Sequence, residues 1–344
     1  MDRVNQAKEL RGALLGLLVG YAIAVFLAMV VSGSPSTVLL KAISVLFDPY
    51  SLQINMSSVR YLLSLWGPVG LAALGLTLCF RARFITIAAE GQILIGMLIT
   101  IWLLAYVVSD LSPLLGIAIA ILASAFAGAT LGTIPALLRA YFGANEILVA
   151  LMVNLTVTIL VSEIVSTHLR IGAHVITKSI PDHFRLCELS VLVFLISALA
   201  LVWFIESRTS LGLIVKVFGS SRRTALTYGV NEAKLFLKLG VLAGALAGLG
   251  GALAALSFQH FLSAKLPIGF GYSGVLSAWL SGFSPPIALA SSLLLSYIRL
   301  WAYAMMVEGV PEGFVLGSQT IIVVSALAGA YAMRSLNKEV KALV

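Results

Sequence analysis

The sequence predicts an all-α, polytopic membrane helical bundle of about ten transmembrane segments, one of them short and broken. Three observations carry this. Of 344 residues, 60% are hydrophobic and only 10% charged, where an average soluble domain carries roughly 25% charged residues. Apolar runs of the length needed to cross a bilayer, about 20 residues, recur from one end of the chain to the other. The segments between them are mostly short, polar and basic. A soluble core has no room for so much apolar surface, so lipid must act as part of the solvent.

The first run, 12–33, follows Arg3, Lys8 and Arg11 and is too long for the apolar region of a signal peptide. It reads as a retained first helix behind a cytoplasmic N-terminus, 1–11. Further runs lie at 59–80, 84–107, 113–138, 145–167, 188–206, 236–258, 285–307 and 314–333. The stretch 271–282 is apolar but brief, and reads as a short or broken crossing that surrounding protein makes tolerable. Ten crossings put both ends in the cytoplasm. Arg3, Lys8, Arg11, Arg81, Arg83, Arg139, Arg208, Lys216, Arg222, Arg223, Lys234, Lys238, Arg334, Lys338 and Lys341 then lie inside. Lys41, Arg60, Arg170, Lys178, Arg185 and Lys265 lie outside, a bias of the sign the positive-inside rule requires.

That rule accounts for the formal charge of +8. No basic run is interleaved with exposed aromatics, so nucleic acid is not a partner. Two outer segments, 34–58 and 168–187, carry proline with mixed polar and apolar residues and predict short surface helices. The longest inner loop is 207–234. The whole chain, 1–344, reads as one transmembrane domain. Cys79 and Cys187 fall near opposite faces, which predicts two unpaired thiols.

Catalytic signatures are missing. The chain has no phosphate loop of the G-x-x-x-x-G-K-[ST] type, no H-E-x-x-H and no G-x-S-x-G elbow. His168, His174, His183 and His260 all fall on the outer side and read as loop residues, with no metal site among them. The residues therefore point away from an enzyme and toward transport, with no cofactor bound by the chain itself.

Polar residues inside or beside the spans are the candidates for function, because they are expensive there. Glu90 and Gln92 lie near a helix start, and two readings stand: the lining of a translocation path, or a cap. Asn145 and Glu146 follow the break at Gly143 and read as a cap. Asn154, deeper in its span, reads as a bond to a neighbouring helix. Glu163 and Arg299 are the costliest placements. Gly240, Gly244, Gly248 and Ala252 recur every fourth residue and predict a close helix contact. The tryptophans at 66, 102, 203 and 301 read as interfacial or core, whereas Trp279, in the short segment, is a candidate for the path. The interrupted regions 84–96 and 269–285 sit in opposite halves of the chain and predict inverted repeats around a midplane pathway.

The inner loop holds two short stretches of helical composition punctuated by Gly212, Gly219 and Gly229. Ser220 or Ser221 is placed to cap the second, and Gly229 to end it. Here the chain resembles a known family, the permease subunits of ribose/nucleoside-type ABC importers. Gly212, Lys216, Gly219, Ala225, Tyr228, Gly229 and Val230 match that family's coupling segment, with Ser221 in place of its asparagine. Phe84–Gly96 is similar to the nucleoside-type signature, keeping Glu90, Gly91, Gln92 and Gly96 but with Thr86 and Ala88 substituted. Gly143–Asn154 and Gly269–Pro285 are similar to two further motifs, the latter with Ser273 for aspartate. The four lie in order, and the resemblance runs from about residue 34 to 333.

The resemblance implies a permease subunit that imports nucleosides or a related small polar solute across the cytoplasmic membrane. The candidate substrate path comprises Glu90, Gln92, Asn154, Ser273 and Trp279. The resemblance also implies an ATPase-coupling segment including Gly212, Lys216, Gly219, Arg222, Ala225, Tyr228 and Gly229. ATP would be used by separate ATPase subunits, and an extracytoplasmic binding protein would deliver solute. Two permease subunits would form each transporter, and the long 34–58 segment points to a heterodimer. A simple-sugar permease, an ion-gradient carrier relying on intramembrane acids such as Glu163, and a membrane protein with no solute remain as alternatives.

Overall fold

The structure is a computed structural model that describes residues 16, 18–31, 55–109, 111–171, 175–263, 266, 269–306, 310–311, 313–314, 317–326 and 328–329. The predicted N-terminus 1–11, most of the outer segment 34–58 and His174 lie outside them. Among the described residues twelve α-helices occur: α1 (Leu18–Val31), α2 (Met56–Arg81), α3 (Ala89–Trp102), α4 (Pro113–Phe142), α5 (Glu146–Thr167) and α6 (Glu188–Arg208), followed by α7 (Ser210–Ser220), α8 (Arg222–Thr227), α9 (Glu232–Ser257), α10 (Phe270–Leu280), α11 (Pro285–Met306) and α12 (Gly317–Ala326). The all-α class is as predicted. Seven helices are long and apolar enough to cross a membrane, α3 with the help of a π-helical turn at Leu103–Val107. The others are shorter. At about 1.5 Å rise per residue, the 11 residues of α10 cover roughly half of a ~30 Å hydrocarbon layer.

The chain divides into two compact units, residues 60–294 and the combination of 1–59 with 295–344. In the larger unit the hydrophobic stretches of α2 and α9 are 89% and 78% buried, against 22% for α4 and α6. So α2 and α9 form the interior, while α4, α5 and α6 turn apolar side chains such as Phe126, Ile159 and Trp203 outward, as helices solvated by lipid do. The multi-pass membrane assignment follows from these surfaces.

Local chemistry sets the helix ends. Pro113 opens α4, and Gly143, at φ 64°, closes it while its N–H bonds the Arg139 carbonyl at 3.2 Å. Asn145 then caps α5, its Oδ1 accepting from the Ile147 and Leu148 amides at 3.0 and 3.4 Å. Glu146 adds an ion pair back to Arg139. The glycine stripe of α9 packs as expected. A Cβ at Gly244 or Gly248 would overlap the carbonyl oxygen of Gly128 or Ser124 in α4, and one at Gly240 would overlap that of Gly132. On its other side Gly251 meets the Ile93 carbonyl of α3. Backbones approach this closely only where side chains are absent. Ser124, Thr100 and the Gly96 carbonyl close a hydrogen-bonded triangle at 2.8–2.9 Å beside this seam.

The predicted surface helix in 168–187 is not what forms. Residues 175–181 run extended and lie against 256–263: Thr177 N–H bonds the Leu262 carbonyl at 2.8 Å, and Ile180 N–H that of His260 at 2.9 Å. Among the described residues of this segment after α5, Asp182–Phe184 is the one helical turn, a 3-10 helix. Pro181 disfavours a helical residue before it, and Phe184 plugs the space left by Gly116.

Both cysteines are free, Cys79 buried and Cys187 exposed. Arg299, in the smaller unit, is buried with its Nε donating to the Tyr303 hydroxyl at 3.2 Å. Glu163 is exposed in the last turns of α5, where a long side chain reaches an interface.

Candidate functional site

The span predicted at 84–107 does not begin as a helix. The segment Phe84–Ala88 is irregular and buried at Phe84, Thr86 and Ala88, and α3 starts only at Ala89. Irregular backbone at this depth needs internal partners, and Asn154 of α5 supplies them. Its Nδ2 donates to the Ile87 carbonyl at 2.7 Å and its Oδ1 accepts from the Gly91 amide at 2.9 Å. Asn154 thus bonds a neighbouring element, as its depth in the span predicts.

Glu90 is 1% exposed, and its carboxylate serves a different helix from its own. Oε1 accepts from the Gly269 amide at 2.6 Å, while Oε2 accepts from Gly271 at 2.7 Å and Tyr272 at 3.2 Å. These are the amides at the start of α10, which have no intrahelical acceptors. The negative charge also sits at the positive end of the α10 dipole. A buried carboxylate is tolerated where several donors satisfy it. Gly271 permits the approach, since a Cβ there would overlap the backbone of Ala89 and Glu90. The two interrupted regions therefore meet, one clasping the other.

Ser273 lies in the first turn of α10, fully buried, its Oγ donating to the Gly269 carbonyl at 2.7 Å. Gln92 is buried in the first turn of α3. Glu90 and Ser273 thus meet at the α10 start, with Asn154 of α5 bonded to the first turn of α3 beside them. Trp279 is elsewhere. It sits at the other end of α10, half exposed, with its ring 5.5 Å from Phe80 and 5.2 Å from Phe283.

The inner loop folds as two short helices. Thr209 caps α7, and Ser221 caps α8 by accepting from the Thr224 amide at 3.2 Å. Of the two serines predicted as caps, Ser221 is the one used. Gly229, at φ 78°, ends the turn after α8 as expected. Val215, Phe218 and Ala225 are buried beneath the connector, whereas Lys216, Arg222 and Tyr228 face out. Arg222 forms a two-point ion pair with Glu232, whose carboxylate holds the guanidinium pKa above its ordinary value.

Gly212 turns against the end of α6, and Gly219 against the Arg81 carbonyl at the end of α2; a Cβ at either would overlap backbone. Phe218 packs edge-on to Phe236, 5.7 Å between centroids, and Phe236 stacks on Phe84 at 5.0 Å. Glu206 binds Arg81 and reaches Lys216 at 3.6 Å. The connector is therefore fastened to the residues that lead directly into Phe84–Glu90.

Sequence reasoning missed Glu206, the Phe84–Phe236–Phe218 stack and the amides of Gly269 and Gly271. The pair of glycines flanking Phe270 was the available signal for the last of these.

A family model described as "Branched-chain amino acid transport system / permease component" matches residues 58–331. The chain is 26% identical over 278 residues to the nucleoside ABC transporter permease protein NupB of Lactococcus lactis, covering 75% of this chain and 76% of that one. It is 27% identical over 289 residues to the guanosine ABC transporter permease protein NupP of Bacillus subtilis, covering 80% and 82%. It is 25% identical over 291 residues to the glucose ABC transporter permease protein TsgB13 of Haloferax volcanii, covering 78% and 75%. No solved structure gives a significant match. With a family model spanning α2 to the end of the described helices, on a bundle of lipid-facing helices, the chain belongs to the permease components of the branched-chain amino acid transport family and is a transport subunit.

Proposed function

We infer that this chain is the membrane-spanning permease of an ATP-driven importer for nucleosides. The observation that carries the solute class is the likeness to two nucleoside-type permeases across 75–80% of the chain. Permeases of this family work with separate ATPase and solute-binding partners. In this reading the partner ATPase uses the ATP, the basic loops face the cytoplasm across the inner membrane, and a second, non-identical permease completes the path. A simple-sugar permease is the second reading, favoured by the likeness to the glucose permease.

Gly212, Lys216, Gly219, Arg222, Ala225, Tyr228 and Gly229 form the ATPase-facing connector in this proposal. Force on α7 passes through Gly219 and Phe218 to the end of α2 and Phe84, then along Phe84–Glu90 to the start of α10. Glu90, Asn154 and Ser273 hold the hinge, with Gln92 beside it on the path. Trp279 lines the inner end. Gly219→Ala places a methyl group against the Arg81 carbonyl, so ATP hydrolysis should continue while uptake falls about tenfold, a cost of about 1.4 kcal/mol in coupling. Parallel ATPase and uptake assays on the assembled transporter check this, and unchanged uptake would remove Gly219 from the route.

The solute class is tested by competition. Cells expressing this chain with its partners are given radiolabelled guanosine against excess unlabelled nucleosides, ribose, glucose or leucine. Nucleosides alone should compete. Displacement by glucose or leucine, with nucleosides inert, would reject the reading.

A further inference from the structure

A cavity of about 480 Å³ opens between the end of α2, the end of α7 and the turn after α10, a size typical of small-molecule sites. Arg81, Arg83 and Lys216 reach it. The carboxylate of Glu206 bonds Arg81 and Lys216, so one anion serves two cations. Arg83 is exposed and makes no ion pair among the described residues. The cavity therefore carries uncompensated positive charge. Its other lining residues are Gly219, Ser220 and two aromatics, Phe80 and Phe283, whose rings lie 5.9 Å apart.

The backbone gives a second, independent sign. Arg83 and Phe283 are the positive-φ non-glycine residues among the described residues, at 57° and 68°, and both line this cavity. Arg83 occupies the residue after the α2 cap, with its N–H bonded to Phe80 and that of Phe84 bonded to Cys79. That Schellman position ordinarily holds glycine. An arginine there strains the turn and serves the fold worse than glycine would, so its guanidinium has to be explained by what it meets. Guanidinium and ammonium groups lining one cavity beside aromatic rings suit a phosphate joined to a ring or a chain.

We propose that this cavity binds a phosphate-bearing ligand, through Arg83 and Lys216 with Arg81 behind them, on the same face as the α7–α8 connector. The side of the membrane rests on the proposed orientation of the transporter. The binding itself does not, and nanodiscs expose both faces, so failure here is distinct from failure of the importer reading. The phosphate has two sources, a soluble nucleotide or a phospholipid headgroup.

The full chain in neutral phosphatidylcholine nanodiscs is titrated with adenosine 5′-monophosphate, inorganic phosphate and adenosine, with Arg83→Gly in parallel. The monophosphate should bind saturably, and Arg83→Gly should weaken it about tenfold, the loss of one charge-assisted bond. Adenosine binding should be unmoved by the substitution. The melting temperature of Arg83→Gly should match or exceed that of the wild type, which separates lost binding from lost folding. If it falls, Arg83→Asn, which also accepts positive φ, replaces it. In nanodiscs containing phosphatidylglycerol, Arg83-dependent retention of that lipid together with block of the monophosphate would assign the site to the headgroup. Absence of any phosphate-bearing probe or lipid whose binding depends on Arg83 would overturn the proposal.

Discussion

Replacing Gly128 with leucine should abolish folded protein in the membrane, while Phe126→Leu two residues away should leave it intact. At Gly128 a Cβ alone would overlap the Gly244 carbonyl oxygen and come within 2.8 Å of the Gly248 Cα. The obstacle is backbone on a helix that is itself trapped. On the same helix a Cβ at Gly251 would overlap the Ile93 carbonyl of α3, and one at Gly250 would come within 3.1 Å of Pro68 of α2. α9 cannot move away from α4 without pressing into α3 and α2. Overpacking of this kind costs about 3 kcal/mol or more, and the small-residue seam is the principal contact joining α4 to the interior. Phe126 is 73% exposed, so trimming it removes lipid contact and little else. Fluorescence-detected chromatography of the two variants in detergent checks the difference. A monodisperse Gly128→Leu peak with wild-type melting would show that α4 and α9 do not pack as described.

Glu90→Ala should also be severe, but with a different signature. It leaves the amides of Gly269, Gly271 and Tyr272 without their acceptor in a buried site. Buried donors left unsatisfied cost about 1–3 kcal/mol each, so a loss of about 3 kcal/mol or more is expected. Glu90→Gln is the informative partner. It keeps the shape and one acceptor oxygen, but its NH2 faces an amide, and the charge opposing the α10 dipole is gone. The protein should still fold, with hydrogen exchange accelerated at Gly271 and Tyr272 and uptake reduced at least tenfold. Equal exchange in wild type and Glu90→Gln would mean that the carboxylate does not hold α10.

The spans were legible because lipid imposes a length and a composition on each helix, and both are local properties of the chain. Caps were legible for the same reason: Gly143, Asn145, Ser221 and Gly229 sit within a few residues of the groups they serve. The glycine stripe could be read as a contact face, although its partner in α4 could not be named. What stayed hidden depends on distance along the chain. Glu90 binds an amide 179 residues away, and nothing near it in sequence distinguishes that from a cap on its own helix. The interruption expected within 84–96 is there, but its exact place at Phe84–Ala88 is invisible to hydropathy, since buried irregular backbone is as apolar as helix when Asn154 carries its hydrogen bonds. The extended strap at 175–181 looked helical by composition, and only its pairing with 256–263 fixes it otherwise. Resemblance to the importer permeases is the ground for the coupling role proposed for the connector, which its mixed composition alone left open between coupling segment and ordinary linker.

The central proposal is that this chain moves nucleosides with energy delivered by a separate ATPase. The direct measurement is uptake by proteoliposomes holding this chain with its ATPase, second permease and solute-binding protein. Labelled nucleoside should accumulate only with ATP on the ATPase face and binding protein on the other. It should persist when ionophores collapse every ion gradient. Uptake by this chain without the ATPase, lost on adding an ionophore, would contradict the claim and identify a gradient-driven carrier instead.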